Sequence, residues 1–143
     1  MKRILILVAS LLFTAGLYAA DSAPYKEGSV VAVSYIKTKP GMFDAYVKWL
    51  GGDFKTLNEA YKKAGLILGY NIFVATPRHP CEPDIILTIT YPNMAALDNM
   101  DEKTAAIDEQ VWSSRAKADA AAIDREKLRE VLGSELVREI LPK

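Results

Sequence analysis

Apolar positions along this chain follow two periods, and the switch between them occurs twice. "SVVAVSYIK", Ser29 to Lys37, is a β-branched run bounded by Gly28 and a Thr38–Gly41 turn, which predicts a strand. From Phe43 the period lengthens. Phe43, Tyr46, Val47, Leu50, Phe54, Leu57, Tyr61 and Ala64 step by three or four residues and so share one face of a helix. Gly51 and Gly52 interrupt it; each glycine costs up to about 1 kcal/mol in a helix interior, so a kink or break is expected there. Gly65 supplies the stop.

"LILGYNIFVAT", Leu66 to Thr76, predicts a second strand, and the loop "PRHPCEPD" leads to a third, Ile85 to Tyr91. Asn93 is placed to cap the next helix through its side-chain oxygen. From Met94 to about Leu132 the chain is alanine-rich and charged, without proline or glycine. One long helix is expected, or two with a joint near Asp101, ended by Gly133. The tail "SELVREILPK" alternates and predicts a fourth strand near a sheet edge. The stretches "YIKTKPGMFDAY" and "TITYPNMAALD" are then the strand-to-helix turns of two successive halves, an α+β, ferredoxin-like βαββαβ order with a four-stranded antiparallel sheet. Neither turn has the glycines or following lysine of a phosphate cradle.

Two helices cover only one face of such a sheet, yet the strands are apolar on both. The second face is expected to carry Val30, Ala32, Ser34 and Ile36 from the first strand, Ile67, Gly69, Asn71, Phe73 and Ala75 from the second, and Ile86, Thr88 and Thr90 from the third. That face is too apolar to leave in water, and the same face of a second copy is the economical cover.

At this point the chain resembles the dimeric α+β barrels, in which two ferredoxin-like protomers pack sheet against sheet around a cavity. "VSYIKTKPGMFDAYVKW" is similar to the strand, "KPG" turn and aromatic helix of that superfamily. "YKEG" and "DREKLREVLGSELVREILPK" look like a group of uncharacterised exported bacterial proteins of this kind. The resemblance implies fold and self-association. It implies little about activity, since these barrels include cofactor-free monooxygenases, haem-binding proteins, isomerases and proteins with no known reaction.

Lys2 and Arg3 precede the apolar run "ILILVASLLFTAGLYAA", which ends in small residues before Asp21. This reads as a secretory signal peptide over residues 1–20, cut after Ala19 or Ala20, followed by a mobile lead over 21–28 and a single domain over 29–141. A membrane anchor is the competing reading, at the short edge of spanning length. The expected product is periplasmic or secreted, with no membrane association after cleavage. The 18 basic and 18 acidic residues of the full chain balance, and losing Lys2 and Arg3 leaves a slight acidic excess. Without a basic stripe, nucleic acid is a poor partner. One cysteine, Cys81, permits no intrachain disulfide.

His79 is the only histidine, close to Cys81, Glu82 and Asp84, but Pro80 and Pro83 stiffen the loop and splay these side chains. A solvated turn is expected, with no metal and no cofactor; Cys81 is expected to be shielded or incidental. The acidic residues of the last helix read as a solvated face. Candidate ligand contacts are Ser34, Asn71, Phe73, Thr88, Thr90 and Trp112: small polar groups and aromatics on the surfaces assigned to the barrel interior. The function expected is an exported homodimer holding a small apolar or aromatic molecule, the alternative being a cofactor-independent enzyme of monooxygenase or isomerase type. N-terminal sequencing of protein recovered from its own compartment should begin at Ala20 or Asp21; a retained Met1 returns the apolar run to the membrane.

Overall fold

The computed structural model describes residues 23–143. The expected signal peptide and the first two residues of the lead lie outside the described residues. β1 (Tyr25–Thr38) is followed by α1 (Phe43–Trp49), a π-helical turn (Leu50–Phe54) and α2 (Lys55–Lys63). β2 (Gly69–Val74) and β3 (Ile85–Tyr91) come next, then a 3-10 turn (Met94–Leu97), α3 (Met100–Trp112), α4 (Arg115–Glu126) and β4 (Arg129–Pro142). The sheet order is β2-β3-β1-β4 and every neighbouring pair is antiparallel. This is the ferredoxin-like βαββαβ arrangement expected from the order of periods, with β4 at an edge.

The turn after β1 closes through Met42 N–H donating to the Lys39 carbonyl at 2.9 Å, and Gly41 takes the left-handed conformation it requires, at φ 76°. At Gly51 and Gly52 the helix does not stop but widens to a π turn. Side chains steady that turn: Thr56 Oγ1 donates to the Gly52 carbonyl at 2.9 Å, and Asn58 Nδ2 to that of Phe54 at 2.8 Å. Tyr46, Leu50 and Phe54 thereby stay directed at the sheet. Asn93 caps the 3-10 turn as expected, its side chain accepting from Ala96 N–H at 3.0 Å.

Two expectations for the second half are corrected. The helical stretch divides at Asn99 (φ 52°), close to Asp101, and again at Ser113 (φ 64°), where Ser114 caps α4 by accepting from Lys117 N–H. It also ends earlier. Gly133 does not stop a helix; it lies inside β4, where pairing with β1 shifts from Tyr35–Gly133 to Ile36–Val131 and leaves Leu132 as a bulge. β1 presents an unpaired edge, so pairing along it overrides the helix-forming character of Arg129–Leu132. The same ladder extends β1 forward to Tyr25, opposite Pro142, into the segment expected to be a mobile lead.

The core joins Ile36, Tyr46, Leu50, Ile85 and Leu87, with Trp49, Phe54 and Leu128 packed against it. Tyr46 and Trp49 stack with ring centroids 5.7 Å apart, and Phe54 meets Tyr70 edge-on. The Arg125 guanidinium lies 5.2 Å from the Trp49 ring centre, and Arg129 donates to Tyr46 Oη at 3.0 Å, so the end of α4 and the start of β4 clamp α1. Among the described residues no helix is long and apolar enough to cross a membrane.

The core also corrects the phase of β1. Ile36 pairs with Ile85 and Ser34 with Leu87, and directly opposed residues share a face. Val30, Ala32, Ser34 and Ile36 therefore point toward the helices, while Val31, Val33 and Tyr35 point away. Both sets are apolar, so alternation alone carried no phase. In β2 and β3 the expected residues Gly69, Asn71, Phe73, Ile86, Thr88 and Thr90 do lie on the open face; Ile67 lies before β2 and is buried. Leu50, 1% exposed, anchors this arrangement, and Leu50→Ala should cost about 2–5 kcal/mol by urea unfolding with little change in the slope.

Candidate ligand face

The registers lay the open face out as rows running across the sheet from β2 to β4. Phe73, Ile86, Tyr35 and Gly133 form one row; Asn71, Thr88, Val33 and Glu135 form the next; Gly69, Thr90, Val31 and Val137 form the third. Each outer row has a glycine at one end and is apolar apart from the Tyr35 hydroxyl in one and Thr90 in the other. The middle row is polar at both ends.

At the β2 end of that row, Asn71 Nδ2 reaches Thr88 Oγ1 at 3.5 Å, a long contact that leaves most of the amide's capacity unused. At the β4 end, Tyr35 Oη donates to Glu135 Oε1 at 2.5 Å, and this bond raises the Tyr35 phenol above its ordinary value. The two ends stand roughly 14 Å apart, three strand spacings. Glu135 is the only charged residue on the three rows. Phe73 is 51% exposed and Val137 42%, and among the described residues no element covers this face.

Of the six candidate contacts, the structure brings Asn71, Phe73, Thr88 and Thr90 together on the open face. Ser34 is on the helix side, where its Oγ lies 3.4 Å from that of Ser134. Trp112 ends α3 in the helical layer, away from the open face. Tyr35 joins the site on the strength of the corrected phase. Glu135 was missed: nothing in "SELVRE" marks one glutamate apart from another, and only the register across four strands shows which one faces Asn71's row.

The loop from Ala75 to Asp84 stands beyond the end of the sheet. Arg78 grips Glu82 through its guanidinium, Nη2 donating to Oε1 at 2.7 Å and Nε to Oε1 at 3.0 Å and to Oε2 at 3.3 Å, and its backbone N–H donates to Oε2 at 2.6 Å. His79 Nε2 lies 3.5 Å from Glu82 Oε1 and its Nδ1 accepts from Cys81 N–H at 3.3 Å. Cys81 is exposed rather than shielded, because the loop projects into solvent. Among the described residues no group of three or more His, Cys, Asp or Glu is placed to hold a metal ion. At the base of this loop Asp84 accepts from Thr38 N–H at 2.9 Å and from the Thr38 hydroxyl, tying the end of β1 to the start of β3.

Two concavities lie elsewhere. A groove of about 600 Å³ runs between α3 and α4, lined by Asp101, Asp108, Glu109, Arg115 and Asp119 together with Ala105 and Ala118. Above it, Tyr61 donates to Asp108, and burial together with that bond raises the Tyr61 phenol. A hollow of about 640 Å³ at the sheet end is lined by Gly28, Leu68, Pro92, Met94 and Arg138 among others. The open face itself is no cavity until something is laid over it.

The fold and this face define a ferredoxin-like α+β domain with one uncovered sheet surface. Known structures of similar fold include protein SO0527 from Shewanella oneidensis, at TM-score 0.51 and 19% identity, covering 82% of this chain and 98% of that one. HapK from Hahella chejuensis is similar at TM-score 0.51 and 13% identity, covering 77% and 91%. A dimeric protein of unknown function with a ferredoxin-like fold from Bacteroides fragilis aligns at TM-score 0.41 and 12% identity, covering 80% and 97%. No protein-family model matches the chain, and no curated protein does. At these identities the likeness is one of fold.

The Arg78 bonds hold Glu82 down from its ordinary value of 4.5 to about 2. A depressed carboxylate contributes stability above its unfolded value and loses it as pH falls through the folded one, so the loop clasp should persist through pH 4 and open near pH 2. Carboxyl-carbon NMR titration of Glu82 checks this. A midpoint near 4.5 means that the clasp does not form in solution.

Proposed function

We propose that the protein is an exported homodimer that lays the open faces of two sheets together and holds a small apolar or aromatic molecule between them. One observation carries the reading: the face formed by Phe73, Ile86, Tyr35, Val33, Val31 and Val137 is broad, mostly apolar and uncovered. Monomeric proteins rarely leave such a surface in water. Face-to-face sheets stand about 10 Å apart, which leaves space beside small residues such as Gly69 and Gly133 for a planar guest. The amide of Asn71 and the Thr88 hydroxyl are the groups that would orient it. Specific dimers bury about 1,200–2,000 Å² in total, and the expected interface is of that order.

Native mass spectrometry of protein isolated from its own compartment tests dimer and guest together. The expected mass is twice the mature chain plus retained small molecules. Thr88→Arg puts a charge at the centre of the face and should leave monomer or aggregate; a wild-type chain that remains monomeric at micromolar concentration defeats the reading. If a guest is recovered, Asn71→Ala should weaken its binding by a few-fold to about tenfold, the scale of one hydrogen bond. His79→Ala, in the outer loop, should change little. The opposite pattern would move the site to the β2–β3 loop.

A second reading, a cofactor-independent enzyme, draws on the hydrogen-bonded Tyr35–Glu135 pair, the two ionisable groups on the three rows. It requires that the molecule retained by Glu135→Gln differ in mass from that retained by the wild type. Identical guests would count against it.

A further inference from the structure

The open face is chemically lopsided. Its β2 side carries Gly69, Asn71 and Phe73, none of them charged, whereas its β4 side carries Glu135 in the middle row. Resting on the dimer reading above, this asymmetry bears on how a second copy is turned.

Two aligned faces are related by a two-fold axis either across the strands or along them. An axis across the strands lays each strand over its own copy, so Glu135 meets Glu135 of the partner subunit and Asn71 meets Asn71 of the partner subunit. An axis along the strands lays β2 over the partner's β4. Phe73 then faces the partner's Gly133, Val137 faces the partner's Gly69, and Asn71 faces the partner's Glu135. The bulky residues meet glycines in either case, since the two glycines stand at opposite corners of the face. The carboxylate decides. Burying two carboxylates against one another with no cation between them is strongly unfavourable in a water-poor interior, while an amide is a hydrogen-bond donor for the one Glu135 oxygen that Tyr35 does not engage.

We propose that the second copy docks with the two-fold axis along the strands, so that each end of the interior is a composite polar site: Asn71 and Thr88 from one protomer, Tyr35 and Glu135 from the other. The site then occurs twice, neither protomer has it alone, and a guest is oriented by both subunits.

Sedimentation equilibrium of four proteins tests the arrangement, with far-UV circular dichroism to show that each is folded: wild type, Asn71→Asp, Glu135→Gln and the double variant. Asn71→Asp places a carboxylate opposite Glu135 at both ends and should raise the dimer dissociation constant by about tenfold or more. Adding Glu135→Gln should return it to within about threefold of wild type, and Glu135→Gln alone, which keeps an acceptor oxygen but loses the charge, should weaken the dimer by up to about threefold. An Asn71→Asp defect that Glu135→Gln does not relieve overturns the inference, as does a dimer that Glu135→Gln alone tightens, because both are the signature of strands lying over their own copies. An Asn71→Asp variant as tight as wild type overturns it as well. Wild-type protein that stays monomeric overturns the dimer reading and this inference with it, whereas a normal dimer with either of the other signatures overturns only the arrangement.

Discussion

Ile36 lies opposite Ile85 in the sheet and in one core with Tyr46 and Leu50, and that contact sets the phase of every strand. Burying side chains of this size contributes about 1.5–3 kcal/mol each, far more than any preference within β1 for one face over the other. Once Ile36 and Leu87 are committed to the helices, successive residues must point away. The uncovered surface is thus a consequence of the core.

That dependence explains why the face has the character it has. Two helical segments, α1 and α2, reach the sheet centre through one continuous helix, and the π turn at Leu50–Phe54 keeps its aromatic residues directed inward across the change of pitch. α3 and α4 have no fully buried residue and are held by polar and cation–π contacts, among them Tyr61 to Asp108 and Arg125 over Trp49. The helical layer is therefore complete on one side, and nothing in it competes for the other. The uncovered side of the sheet thus carries one carboxylate and one amide on its middle row.

The polar groups on that row divide the chemistry. Tyr35 and Glu135 already satisfy one another, so they form a stable acceptor with capacity remaining, while Asn71 has only a long bond to Thr88. Donor capacity sits at one edge and acceptor capacity at the other. On a single sheet they are too far apart to serve one small molecule, which is why the symmetry of any covering copy matters more to this surface than the identity of any one residue.

Local pattern was enough for the element order, the two strand-to-helix turns, the Asn93 cap and the ferredoxin-like topology, because each depends on residues near one another in sequence: glycine and proline punctuation, a 3.6-residue stripe, a β-branched run. It was also enough to place Asn71, Phe73, Thr88 and Thr90 on one face, since Thr88 and Thr90 alternate with Leu87 and Ile89 in β3, and Asn71 marks one face of β2 and carries Phe73 with it two residues on. It was not enough for β1, where Val30, Ala32 and Ile36 on one side and Val31, Val33 and Tyr35 on the other are equally apolar, so Ser34 was assigned to the wrong face. Nor did it locate the start of β4, where pairing with an edge over 90 residues distant in sequence overrode local helix propensity. Tertiary structure decided both, and with them the position of Glu135, because face and register are properties of paired strands and no single strand contains them.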